Sequence, residues 1–519
     1  MVLGLLLLAL QASQAALPEQ PTALPEMLKK AMQLLEASDR ASARRELTEA
    51  LRLYPASPAV RNFLGVVEGG DGHYWAAERR FQEAVRLTPH YTDAYLNLGR
   101  LYQENAGHDP KAATKALAAY QAILGYDSAH ADARFQSAAL LLATGEFSRS
   151  LAELSQLAPA DRDRPAALAV RLAAHAGKGE SAEAEAAAER LLARGGFDEL
   201  DVRPTLGVLI AHGREDLAVR LLEDLRRRGH ASSDDLQRLG LLREKAGEFV
   251  EARVRLEEAS RDRPDSVPLL LDLARVAHKA KDVEGALGYL GHARVLEPGN
   301  ARVHFLFGMA CVELELGAEA YNSFKEAVRL DPDNAAANYA MGAVCLHRTD
   351  PSEAVPYFRR YAELEPNEPR GALALGIAAF QVKDYATARG LLAPAAARPQ
   401  TAAAANYYLA RMARSETEFE KALGFALRSV ETNSSYADPW SELGLVYLRL
   451  GQLTKAAEAL ERCLKLDPDH YLGNLHLTML YTETRDPREA AQRRRFDEIK
   501  ARRAEEAADF LRPIEVRPY

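Results

Sequence analysis

The chain is 519 residues long, 48% hydrophobic and 27% charged, which excludes a disordered tail, a collagen-like chain and a multi-span membrane protein. Its formal charge of −8, from 66 Lys and Arg against 74 Asp and Glu, gives no field that draws in nucleic acid or an anionic bilayer. Three cysteines cannot form a disulfide scaffold, and an odd count leaves at least one thiol unpaired.

The chain opens with a short apolar run, Val2 to Leu10, followed by Gln11-Ala12-Ser13-Gln14-Ala15-Ala16. Small residues at the −3 and −1 positions for a cut after Ala15 predict a secretory signal over residues 1–16, and so a periplasmic or secreted protein. The run is too short to span a bilayer, which takes about 20 apolar residues, so no stable membrane anchor is expected. No Lys or Arg lies between Met1 and Leu10, a departure from the signal pattern. The alternative is an apolar N-terminal helix packed on the first helices of the folded body, in a cytoplasmic chain.

From Leu24 onward one 34-residue frame can be laid over nearly the whole chain. The clearest unit, Ala437 to His470, places Trp440, Leu443-Gly444, Tyr447, Ala456, Leu460, Cys463 and Pro468 at positions 4, 7, 8, 11, 20, 24, 27 and 32. The same marks recur as Phe307-Gly308, Ala320, Phe324, Ala327 and Pro332, as Met341-Gly342, Ala354, Phe358 and Pro366, and near the start as Leu64-Gly65, Ala77, Phe81, Ala84 and Pro89. This pattern resembles the tetratricopeptide repeat. Apolar spacings of three and four predict two amphipathic helices per unit, A and B, with Gly or Ala at positions 8 and 20 letting them approach closely. Asp331 to Asn334, and Asp467 to Asp469, are expected to stop one helix and cap the next.

Units start at 24, 58 and 92, the frame slips by five residues at Ala106 to Pro110, and it resumes at 131, 165, 199, 233, 267, 301, 335, 369, 403, 437 and 471. The slip is expected to lengthen one inter-helix turn. The predicted fold is therefore all-α, a right-handed superhelical solenoid of about 14 units. The domain reading is a signal at 1–16, N-terminal units at 24–130, degenerate Ala-rich units at 131–232, a regular array at 233–486, a capping helix at 487–511 and a tail at 512–519. If the degenerate units distort, the array divides near them. In the capping helix, Gln492 to Arg495, Lys500, Arg502 and Arg503 are interleaved with acids, which predicts a soluble end laced with i to i+4 pairs rather than a nucleic-acid patch.

The chain carries no zinc helix, nucleophile elbow, paired Cys-x-x-Cys or phosphate loop. Gly177 to Ser181 is a fragment of a phosphate loop without its leading glycine or strand, and is read as a helix-connecting turn. No catalytic, metal-binding or cofactor-binding residue is assigned, no cofactor is expected, and the chain is read as a non-enzyme. Cys311 and Cys345, both at position 11, and Cys463, at position 27, fall on inward sites and are predicted as unbridged core thiols. His278 and His347, late in A helices, are read as surface histidines near the groove.

The family resemblance implies a concave wall built by A-helix positions 2, 5, 9, 12 and 13. Chaperone-binding relatives carry a Lys and Asn carboxylate clamp at positions 5 and 9. Here those positions hold Phe305 and Met309, Tyr339 and Ala343, Leu373 and Ile377, Tyr407 and Arg411, so binding of Hsp70 or Hsp90 tails is not expected. What remains is an apolar and aromatic stripe, continued by Phe380 with Arg370 and Arg411 beside it, the residue types that anchor protein and peptide hot spots. The predicted partner is a protein or extended peptide, and the resemblance implies a place in envelope or secretion-complex assembly. Two other classes stay open: the substrate-presenting subunit of a separate enzyme such as a glycosyltransferase or protease, and a cytoplasmic scaffold.

Overall fold

The computed structural model describes residues 23–505 apart from 106, 108 and 349; the expected signal at 1–16 and the end of the chain from 506 lie outside the described residues. Among the described residues every regular element is an α-helix, and none of these helices is long and apolar enough to cross a membrane. There are twenty-nine helices among the described residues. One of them, Pro159–Arg162, is a single turn; the rest form fourteen pairs on the predicted frame. A helices begin at 58, 92, 131, 165, 199, 233, 267, 301, 335, 369, 437 and 471, the residues at which the frame starts. The five-residue slip lies between helices Thr92–Glu104 and Ala112–Tyr126, whereas three residues join Pro58–Gly70 to Tyr74–Leu87.

The chain forms two compact units, one ending at Arg243 and the other starting at Glu244, within helix Ser233–Lys245. The Ala-rich pairs of 131–232 thus belong to the first unit, together with the pairs before them. There they build a core of Leu168, Leu172, Leu191, Leu206, Leu221 and Leu225. Their B helix Phe147–Ser155 is cut short, and Pro159 starts the extra turn. In the second unit the largest core joins the pairs from Ala274 to Ala378 through Phe305, Phe307, Phe324, Met341 and Phe358.

Within the pairs that carry glycine at position 8, the contact there is steric. A Cβ added to Gly342 would stand 2.8 Å from the Phe358 ring, one on Gly308 2.7 Å from Phe324, and one on Gly444 2.5 Å from Leu460. Each of these partners holds position 24 of the same unit. The glycine is therefore a seat for the position-24 side chain, a more local reason than close approach of two backbones. Gly99 and Tyr120 make the same contact at 2.4 Å across the lengthened turn, so the extra residues leave the seat intact.

Two further devices repeat. All twelve described residues at position 15 have a left-handed backbone, with φ between 53° and 82°. Six are glycine, as at Gly72 and Gly451; the others are Ser38, Lys281, Glu315, Lys383, Thr417 and Arg485. This residue reverses the chain from A to B. At position 4, a side-chain N–H reaches back six residues to a carbonyl of the preceding turn: His304 to Pro298 at 2.9 Å, Asn338 to Pro332 at 2.9 Å, Trp440 to Ser434 at 3.0 Å and Asn474 to Pro468 at 3.1 Å. Asn334 caps its helix as expected, accepting from Ala337 N. After Pro468 the cap is His470, which accepts from Gly473 N, rather than Asp469.

The last helix, Glu489–Glu505, closes the second unit. Ile499 is 1% exposed, the Phe496 ring lies 5.2 Å from Tyr471, and Glu489 pairs with Arg493 at i to i+4. The charged face is exposed and Arg495 and Arg502 both reach Asp469.

The glycine seat predicts opposite outcomes for two substitutions. Gly342→Ala forces the Phe358 ring aside and is expected to lower stability by about 1–2 kcal/mol net. Gly424, in helix Phe419–Thr432, has open space around its Cβ site, so Gly424→Ala is expected to raise stability by about 0.5–1 kcal/mol. Chemical denaturation of the two variants checks the signs.

Candidate binding surface

In the second unit the rings collect around Arg411, at position 9 of its A helix, where the two preceding A helices carry Ala343 and Ile377. Phe380, at the end of helix Pro369–Gln381, meets Tyr385 at 5.9 Å and Tyr408 at 5.7 Å. Tyr407 lies 5.0 Å from Tyr408 and 5.8 Å from Tyr436. Leu373 and Ile377 belong to the same cluster. The Arg411 guanidinium sits over three rings, 5.2 Å from Phe380, 5.4 Å from Tyr407 and 5.6 Å from Tyr408. A second ring group forms one unit earlier, where Tyr339 meets Tyr361 at 4.9 Å and Phe358 at 5.6 Å. Burial pushes the Tyr339 hydroxyl up to about 12, and it pushes Tyr407, Tyr408 and Tyr436 up as well, so these phenols stay neutral.

Burial corrects the reading of the stripe as one open surface. Phe305 is 8% exposed, Met309 5%, Ile377 8% and Tyr407 4%. Phe305 packs toward Phe324 of its own pair, at 5.9 Å, and Met309 is part of the same core. From helix Pro369–Gln381 onward consecutive A helices touch, so a large side chain at position 5 or 9 there fills the seam between them. Tyr339, Arg370, Leu373, Phe380 and Arg411 are half-buried and keep surface to offer. Arg370 pairs with Glu368 at 3.2 Å. Structure therefore brings Leu373, Ile377, Phe380, Tyr407 and Arg411 into one cluster, and leaves Phe305 and Met309 in the core.

Tyr408 and Tyr436 of the cluster, and Tyr361 beside Tyr339, were outside the predicted groove positions. They stand at positions 6, 34 and 27 of the frame, on the far side of the A helix, in the turn and on the B helix. A scan for aromatic residues at every frame position, rather than at five, finds them.

Charged side chains on neighbouring A helices are mostly paired. Glu244, with 6% of its side chain exposed, takes Arg275 and also Lys279 at 2.9 Å. Burial raises the Glu244 carboxyl and the two cations outweigh it, so it is held below the usual range. His278 lies 2.7 Å from Glu313, and Arg414 binds Glu442 through Nε at 2.5 Å. In the first unit Asn97 Nδ2 donates to Asn62 Oδ1 at 2.9 Å, both buried.

The three cysteines are free and fully buried, as their frame positions predict. Burial pushes the Cys311 thiol up to about 11 and those of Cys345 and Cys463 up to about 12, which leaves them protonated and weakly nucleophilic at neutral pH.

Below Arg414 the A helices are joined by a buried contact, His476 Nδ1 lying 3.0 Å from Ser441 Oγ and 3.2 Å from its carbonyl. Burial, with Arg414 adding to it, lowers His476 from 6.5 to about 4. The unfolded chain then binds a proton between those values that the folded chain refuses, so this stability is present above pH 6.5 and lost as pH falls toward about 4. The stability gap between the parent and His476→Asn is expected to shrink by about 3 kcal/mol over that window in denaturation curves.

Tetratricopeptide repeat family models match residues 28–69, 108–174, 244–306, 305–369 and 437–470. Among solved structures, the chain is similar to the APC/C hetero-tetramer Cut9–Hcn1 at 16% identity, over 88% of this chain and 90% of that one, with a TM-score of 0.37. Yeast Tom70 is similar at 15% identity over 87% and 98%, TM-score 0.35. YrrB, a repeat protein with an unusual peptide-binding site, is similar at 22% identity over 43% and 97%, TM-score 0.28.

Proposed function

Since the chain belongs to the tetratricopeptide repeat family, we propose that it is a non-enzymatic scaffold that holds a protein or extended peptide segment against the A helices of its second unit. The observation that carries this is the cluster of buried and half-buried rings and Arg411 between helices Pro369–Gln381 and Ala437–Arg449. Buried rings such as Tyr407 and Tyr408 hold the surface rigid, and Phe380 and Leu373 supply contact area at little further entropic cost. Binding needs no covalent step and no cofactor.

The apolar run Val2 to Leu10 and the small residues after it support export, and with it a partner in the cell envelope or outside the cell. Intact mass of the native protein from fractionated cells tests that part. Loss of residues 1–15 or 1–16 from an envelope or secreted fraction is expected; a full-length cytoplasmic chain contradicts export.

For the surface, the choice of variant matters. Phe305→Ala and Tyr407→Ala open core cavities and confuse folding with binding. Leu373→Ala with Phe380→Ala is the cleaner pair, because both side chains are only half-buried. It is expected to weaken partner capture by about tenfold with helical content kept. Val295→Ala, at a B-helix residue 77% exposed, is expected to change nothing. Equal capture by all three proteins contradicts the proposed surface.

A further inference from the structure

Arg411 differs from its neighbours in what it lacks. Arg414, three residues on along the same helix, is held by Glu442, and Asp438 on the next A helix takes His470 Nε2 at 3.1 Å. Arg370 has Glu368. Arg411 has its three rings and, among the described residues, no hydrogen-bond or ion-pair acceptor. An arginine stays charged at any physiological pH and offers five N–H donors in a planar fork. Rings packed about the guanidinium take water from its faces and hold its orientation, leaving the N–H edge as its polar outlet. A half-buried cation kept this way is stabilised most by an anion that can meet the fork edge-on, and a carboxylate does so with two parallel hydrogen bonds.

We propose that Arg411 is the docking point for an Asp or Glu side chain of the bound segment, flanked in that segment by apolar residues that rest on Phe380 and Leu373. This rests on the proposed binding surface and names the chemistry of its partner. The charge balance around the site is consistent with it: Asp438 and Glu442 lie near enough to be felt by Arg411, but each is engaged elsewhere. Half-buried Phe380 beside the guanidinium, and half-buried Leu373 in the same cluster, favour apolar neighbours to the acid.

The test starts from a displayed library of random linear peptides selected on the full chain. The strongest binder is synthesised with an amidated C-terminus, once as selected and once with its Asp and Glu changed to Asn and Gln. Both are titrated against the parent, Arg411→Met and Arg411→Gln, with thermal melting to show that each variant folds. Selected peptides are expected to carry an acid, and neutralising it is expected to cost the parent about tenfold in Kd and the variants almost nothing. Either folded variant suffices for the cycle. Binders without an acid, or an equal cost in parent and variant, overturn the carboxylate assignment. If those binders are still lost on Leu373→Ala with Phe380→Ala, the surface stands without it; if the parent captures no peptide, both readings fall.

Discussion

The ring or leucine at position 24 seated on the glycine at position 8 is the contact from which the rest of the architecture follows. Gly65 under Phe81, Gly308 under Phe324, Gly342 under Phe358 and Gly444 under Leu460 are one interaction repeated. In the pairs that carry it, it sets how close A and B lie, and the left-handed residue at position 15 sets how the chain turns between them. With both fixed, each pair presents the next with the same apolar face, and stacking completes a core that no pair builds alone. The A helices then come into register, and side chains one repeat apart meet as neighbours. His278 with Glu313 and Ser441 with His476 both arise this way.

Much of this was legible because a period repeated fourteen times averages out local exceptions. The helix starts at 131, 165 and 199 fall on the frame even where its Gly and Pro marks fade. The five-residue slip was legible too, since the frame resumes after it. The turn at position 15 was legible only in part. Glycine at Gly145, Gly179, Gly213 and Gly247 carries the period, but Lys281, Glu315, Lys383 and Thr417 adopt the same backbone with side chains that ordinarily disfavour it. Tertiary contacts override local preference there.

The candidate binding surface was harder to read. Position numbers say which wall of a repeat a residue faces, but not whether its side chain lies over the neighbouring helix. Phe305 and Tyr407 share position 5 with Leu373, yet the first two are buried and the third keeps exposed area. Side-chain size and the rings contributed by other positions decide this. Tyr408 and Tyr436 bury Tyr407, and neither belongs to the inner positions. What emerges is a rigid aromatic base with Phe380, Leu373 and Arg411 left at its surface.

The claim that ties fold to function is that partners meet the A-helix side of the second unit. Site-specific photo-crosslinking in cells tests it most directly, with the reactive residue placed at exposed Gln381, beside Phe380, or at exposed Val295 on a B helix. The account predicts an adduct with one dominant partner from position 381 and none above background from position 295. Adducts from position 295 alone, or equally from both, would contradict it.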